Sequence, residues 1–163
     1  MNEPGTLILL CGKMAAGKST LAARIADERG AILFGEDALL AALYPDEIRD
    51  VDDYLVRSTR LKRALRAHIV DLLGRGMCVV MDFPANTTRQ RRWLAGLFEE
   101  SGASHELHYL RASDGSCKER LARRAIDQPE RRATDTPEMF DLVTAHFRPP
   151  SPDEGFDVIV HDV

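Results

Sequence analysis

Short unbroken apolar runs alternate along the chain with longer stretches whose apolar residues recur every three or four positions. Thr6–Cys11 (TLILLC) is continuous, the pattern of a central parallel strand covered on both faces. Ser19–Arg29 then carries Leu21, Ala22, Ile25 and Ala26 at helical spacing. Ala31–Phe34 reads as a second strand, and Tyr54–Leu73 as the longest helix, with Leu61, Leu65, Ile69 and Leu72 on one stripe. Met77–Met81 (MCVVM) is the next buried strand and ends at Asp82. Thr87 with Gln90 three residues later matches a capping box, opening a helix that carries Trp93, Leu94, Leu97 and Phe98. His105–Leu110 reads as a fourth strand, Asp114–Ile126 as a helix, Thr136-Pro137 as an N-cap with a first-turn proline, and Phe156–Val160 as a final strand. This alternation predicts an α/β sheet of right-handed βαβ units. Arg148–Gly155 (RPPSPDEG) resembles a linker but lies too near the end to separate domains.

A length of 163 residues suits one domain, and 44% hydrophobic with 29% charged residues excludes a disordered or fibrous chain. With 22 Lys+Arg against 26 Asp+Glu, the net charge of -4 is not that of a dedicated duplex-DNA or anionic-membrane binder. No apolar run approaches the roughly 20 residues of a membrane span. Leu7–Cys11 is too short for a signal peptide and follows Asn2-Glu3 rather than a basic segment, so a cytoplasmic location is expected. Cys11, Cys78 and Cys117 form no CxxC pair and read as buried structural thiols. His68, His105, His108, His146 and His161 show no metal-ligand spacing and are assigned no role.

The segment from Gly12 to Ser19 (GKMAAGKS) is a full GxxxxGKS, placed after an apolar strand and at the opening of an amphipathic helix. Its glycines permit a tight turn whose amides face a phosphate, and the helix start adds its positive end. Lys18 is expected to reach the β- and γ-phosphates and the Ser19 hydroxyl to bind Mg²⁺. The expected nucleotide-binding set is Gly12, Lys13, Met14, Ala15, Ala16, Gly17, Lys18, Ser19 and Thr20. A guanine-reading NKxD segment is absent, and the third strand ends Met81-Asp82-Phe83 with a single acid, so a small kinase fits better than a GTPase or a motor.

Five pieces carry a wider likeness: GKMAAGKSTLA (12–22), FGEDALLAAL (34–43), CVVMDFPANTTRQRRW (78–93), LHYLRASDGSCKERLARR (107–124) and HFRPPSPDEGFDVI (146–159). On them the chain resembles the P-loop kinases that include polynucleotide kinases, chloramphenicol phosphotransferase, zeta toxins and predicted bacterial AAA-type kinases. The resemblance implies a three-layer α/β fold with a five-stranded parallel sheet in order 2-3-1-4-5. It also implies a mobile helical lid, here about 120–136, within one domain over 1–163.

It further places Asp37, 19 residues after Lys18, as the carboxylate that receives the acceptor hydroxyl's proton, with Glu36 as the adjacent competitor and N-capping as the bland alternative. Several relatives carry Arg three residues later, where this chain has Leu40, which weakens an anionic acceptor. Asp82 stands where such kinases hold Mg²⁺, while Asn86 and Thr87 fit either site contacts or helix caps. Arg120, Arg123 and Arg124 match the lid arginines, one of the three being expected to be merely solvated; Arg131 and Arg132 in the loop Asp127–Asp135 are weaker candidates. Arg57, Arg60, Lys62, Arg63 and Arg66, without flanking aromatics to stack bases, read as a solvated face.

The resulting expectation is a Mg-ATP-dependent kinase acting on a hydroxyl of a small molecule such as a metabolite or antibiotic. Its acceptor pocket would lie between Asp37, Tyr44, the Tyr54–Leu73 helix and Phe83, with an apolar lining. The alternatives are a polynucleotide 5′-hydroxyl kinase and an ATP-binding switch or toxin–antitoxin partner.

Overall fold

The apolar run at the start of the chain becomes the middle of a sheet. In the computed structural model, which describes residues 3–163, β1 (Thr6–Gly12) is flanked by β3 (Val79–Asp82) and β4 (Ser104–Arg111), with β2 (Ile32–Gly35) and β5 (Val158–Asp162) outside them. All pairings are parallel and the order is β2-β3-β1-β4-β5, as the resemblance implies. Leu7 to Cys11 are fully buried because both faces of the central strand are covered.

Alternate residues of β1 feed two cores. Leu7, Leu9 and Cys11 join α3 (Val51–Gly74) and α4 (Thr88–Ser101) through Leu61, Ile69, Leu73, Leu94 and Leu97. Ile8 and Leu10 face α1 (Lys18–Arg29) and α5 (Asp114–Asp127) through Leu21, Ile25, Cys117 and Leu121. Phe140 of α6 (Pro137–Thr144) closes that second core. Burying each large aliphatic side chain contributes about 1.5–3 kcal/mol, so the sheet centre is the stable frame from which the loops project.

The predicted elements all form, with shifted ends. α3 begins at Val51 rather than Tyr54 because the Asp50 side chain caps it, accepting from the Asp53 amide at 2.8 Å. β3 begins at Val79, not Met77, since the turn through Gly76 (φ 85°) holds the Met77 amide on the Leu72 carbonyl. β5 starts at Val158 and runs on to Asp162, whose carboxylate takes two bonds from Arg111. The Thr87–Gln90 capping box and the Thr136 cap with Pro137 are present.

Two sequence readings change. The linker-like segment is a strap: its 3-10 turn Pro152–Glu154 brings Glu154 against fully buried Arg91, at 2.8 and 3.1 Å. The Arg91 guanidinium also donates to the Ala85 and Arg148 carbonyls, which compensates its burial. The basic face of α3 is only partly solvated: Arg57 pairs with Glu47, Arg66 with Glu100, and Lys62 lies over the Trp93 ring. Cys11 and Cys117 are buried and Cys78 half-buried, and burial pushes the Cys11 thiol up to about 11.

Candidate functional site

Between β1 and α1 the glycine-rich segment closes around its own lysine. Lys18 Nζ donates to the Gly12 and Lys13 carbonyls at 2.7 and 2.8 Å. Burial pushes this ammonium below its ordinary value, against the opposing pull of the Asp82 carboxylate. Gly12 is required by close approach, since a Cβ there would lie 3.0 Å from the Leu110 carbonyl oxygen. Gly17 has φ 100°, a left-handed geometry open to glycine, and Ala15 at φ 60° completes the tight path. The Gly12 amide donates to Asn86 Oδ1 at 2.9 Å, joining the loop to the end of β3.

Asp82 ends β3 beside the first turn of α1, and Ser19 Oγ donates to its Oδ2 at 2.7 Å. A hydroxyl and a carboxylate side by side suit a hard, oxygen-seeking dication whose other ligands come from water and phosphate. Among the described residues, no cluster of three or more His, Cys, Asp or Glu could hold a metal.

The two neighbouring acids after β2 both line one cleft but differ in burial and partners. Both open α2 (Glu36–Leu43), but Glu36 is buried and accepts from the Tyr54 hydroxyl and, at 2.8 Å, from Ser58 Oγ. Asp37 is 84% exposed, with Arg131 at 3.9 Å as its ion-pair neighbour. A cleft of about 550 Å³ holds Lys18, Ser19, Asp37, Asp82, Asn86 and Phe83 together, with Arg124, Arg131 and Asp135 opposite. Tyr44 and the Tyr54–Leu73 helix do not line it; Tyr54 and Ser58 lie behind it, bonded to Glu36. The lining is therefore more charged than an apolar acceptor pocket would be.

The arginines of α5 divide. Arg124 lies in the cleft and forms a two-point pair with Asp135 at 2.6 and 2.9 Å. Arg120 points elsewhere and donates to the Ala16 carbonyl at 3.2 Å. Arg123 is exposed and makes no ion pair or hydrogen bond among the described residues. Arg132 bonds the Ala125 carbonyl, outside the cleft. Asp135 has a 2% exposed side chain, and no spacing or motif in the sequence marks it as the partner of Arg124. Lys13 pairs with Asp114 at 2.6 Å, and Thr87 caps α4 without lining the cleft.

A second cleft, about 420 Å³, meets the first at Gly17 and Thr20. Leu21, Leu110 and Val163 form its apolar surface, with Arg24, Arg120 and His161 as polar walls.

The fold is the one that P-loop kinase structures share. The family model of AAA_33, an AAA domain, matches residues 7–150, and the chain belongs to that family. Comparison with curated proteins finds no relative. Among solved structures, a candidate kinase from Chloroflexus aurantiacus j-10-fl is 21% identical, with TM-score 0.76, covering 98% of this chain and 89% of its own. The Mycobacterium tuberculosis APS kinase CysC in complex with AMPPNP and APS is 17% identical, with TM-score 0.60, 98% of this chain and 90% of its own. A gluconokinase from Sinorhizobium meliloti 1021 is 19% identical, with TM-score 0.59, covering 100% of this chain and 85% of its own. At these identities the likeness is one of fold.

Proposed function

We propose that the chain is a Mg-ATP-dependent kinase that moves the γ-phosphoryl group to a hydroxyl of a small molecule, in the cytoplasm and within one domain over residues 1–163. The observation that carries this reading is Asp37: an exposed carboxylate sharing one cleft with Lys18 and the Ser19–Asp82 pair, while Glu36 is already satisfied.

In this reading the loop amides and Lys18 hold the β- and γ-phosphates, and Ser19 and Asp82 hold the metal. Bound there, Mg²⁺ neutralises charge on the phosphate oxygens. Asp37 accepts the proton of the acceptor hydroxyl as its oxygen bonds to the γ-phosphorus and the bond to the β-phosphate oxygen breaks. Arg124, aimed by Asp135, and Arg131 steady the charge on the transferred group. Residues 120–136 act as the lid, since Arg124, Arg131, Thr134 and Asp135 all reach the cleft from that segment. The nucleoside end lies in the second cleft, where the Arg120 guanidinium plane can stack on a base. An AMPPNP complex of the APS kinase neighbour supports nucleotide binding on this fold.

The test is transfer of labelled γ-phosphate from ATP to small hydroxyl compounds and to a 5′-hydroxyl oligonucleotide. Acceptor-dependent labelling that disappears in Lys18→Ala and Asp37→Asn supports the kinase reading. Preference for the oligonucleotide moves the acceptor to nucleic acid, and hydrolysis with no labelled acceptor favours a nucleotide switch.

A further inference from the structure

Beside the second cleft, four side chains that take no part in the steps above form one hydrogen-bonded line. Arg29 donates through both terminal nitrogens to Glu106, each bond 2.9 Å. Glu106 Oε2 lies 3.0 Å from His108 Nε2, and His108 Nδ1 lies 2.8 Å from His161 Nε2. The imidazole centroids are 5.1 Å apart with planes 18° from parallel, which together with the short N–N distance is an edge-to-edge bond rather than a face-to-face stack. His161 is the member of this line that reaches the cleft wall.

The line fixes its own protons. Arg29 holds the Glu106 carboxyl below the ordinary carboxylate range, so Glu106 only accepts. His108 therefore carries a hydrogen on Nε2, and in its singly protonated form it has only a lone pair on Nδ1. His161 must then donate from Nε2, which leaves its Nδ1 bare. That nitrogen makes no hydrogen bond among the described residues. Burial, with the nearby His108 and Arg24, lowers the tendency of His161 to take a second proton. The other polar side chains at the cleft are Thr20, whose hydroxyl can do either, and Arg24 and Arg120, which only donate. Arg120 already serves the Ala16 carbonyl, and Arg24 pairs with Glu28.

We infer that His161 is a specificity residue for the nucleotide base, its bare Nδ1 accepting from the 6-amino group of adenine and meeting the 6-carbonyl oxygen of guanine lone pair to lone pair. This rests on the second cleft being the base site. The donor is then ATP rather than GTP, and Glu106 and His108 are positioning residues that act through the tautomer of His161.

Two measurements test it. In uniformly ¹⁵N-labelled wild type at about pH 8.5, above the ordinary imidazole range, His161 Nδ1 is expected to give a pyridine-type resonance and Nε2 a pyrrole-type one. In calorimetric titrations at the same pH, ATP is expected to bind about tenfold more tightly than GTP. His108→Phe frees the tautomer and is expected to narrow that preference to about twofold, with affinity for inorganic triphosphate retained as the control for folding. A proton on His161 Nδ1, equal binding of ATP and GTP by wild type, or a full preference in folded His108→Phe would each overturn the inference alone. Nucleotides binding no better than inorganic triphosphate would remove the base site, and the inference with it. Loss of triphosphate binding as well would strike at the nucleotide reading itself.

Discussion

The two halves of the main cleft are built in different ways. On the proposed phosphate side, Gly12 to Asn86, Lys18 to two carbonyls and Ser19 to Asp82 are all bonds of 2.9 Å or less, made at the ends of strands whose central residues are fully buried. On the proposed acceptor side, Asp37 stands 84% exposed on the first turn of a short helix, with Arg131 at 3.9 Å. The tight contacts there, Arg124 with Asp135 and Glu36 with Tyr54 and Ser58, join side chains to side chains rather than to the sheet. A backbone-braced half suits a constant donor such as a triphosphate. A half made of exposed side chains at helix ends can change its acceptor without disturbing the frame.

The sharpest way to break this comparison is to change one residue in each half. Asp37→Asn is expected to lower phosphoryl transfer by about 10²–10⁴-fold, the usual worth of a positioned base, with nucleotide affinity intact. Lys18→Ala is expected to lower it by about 10²–10³-fold and to weaken nucleotide binding too. Titrating a non-hydrolysable ATP analogue into each variant checks the separation. A large loss of nucleotide affinity in Asp37→Asn would mean that the halves are one unit.

Bracing of the phosphate half extends behind it to Arg91, which holds the Ala85 carbonyl next to Asn86 and reaches Glu154 in the strap. Arg91→Ala leaves Glu154 and the Ala85, Arg148 and Pro149 carbonyls short of their donor, and a loss of about 3–5 kcal/mol is expected in urea unfolding at pH 7. Burial raises the Glu154 carboxyl, but its bonds to Arg91 and Ser151 outweigh this and hold it below the ordinary range. A depressed folded value adds stability above the unfolded pKa, and that stability is lost as pH falls through the folded one. The acid limb of wild-type stability is therefore expected to fall below about pH 4.3 and to flatten in Arg91→Ala. Parallel limbs would show that Glu154 contributes nothing to acid sensitivity.

The acceptor half is sharpened by Asp135→Asn. The variant keeps the shape but removes the charge that holds Arg124, and a roughly tenfold fall in kcat is expected from one weakened charge-assisted pair. Combined with Arg124→Ala, the two losses are expected to be far from additive. Additive losses in the double variant would show that Asp135 does not act through Arg124.

What could be read from the chain divides along the same line. GKMAAGKS was legible because glycine conformation, amide density and one lysine are forced at fixed spacing. Asp82 was legible because a buried strand has one end. Asp37 rested on resemblance, and only the bonds from Tyr54 and Ser58 separate it from Glu36. Arg120 and Arg124 fall on one side of a helix by spacing, yet the Ala16 carbonyl draws one away and Asp135 holds the other. In the run Arg89-Gln90-Arg91-Arg92, the spacing to Leu94 and Leu97 puts Arg91 on the buried face of α4, but its partner Glu154, sixty-three residues away, leaves no mark in the sequence. Long-range pairing leaves no periodic trace, so such residues are found only in three dimensions.

The smallest effect tests whether the joint between strand and helix is structural. Thr87 Oγ1 accepts from the Gln90 amide at 3.1 Å, and Gln90 Oε1 accepts from the Asn86 and Thr87 amides at 2.9 and 3.1 Å. Asn86 in turn receives the Gly12 amide, so the cap is two bonds from the phosphate loop. Thr87→Ala is expected to cost about 1 kcal/mol, seen as a fall in Tm of about 2–4 °C, and Thr87→Ser to restore most of it. Transfer is expected to stay within about twofold of wild type, because Gln90 still holds Asn86 through its side chain and that cost falls on helix stability rather than on the transition state. A loss of kcat in Thr87→Ala that Thr87→Ser repairs, with Tm unchanged, would make the hydroxyl part of the site and extend the braced half into the start of α4.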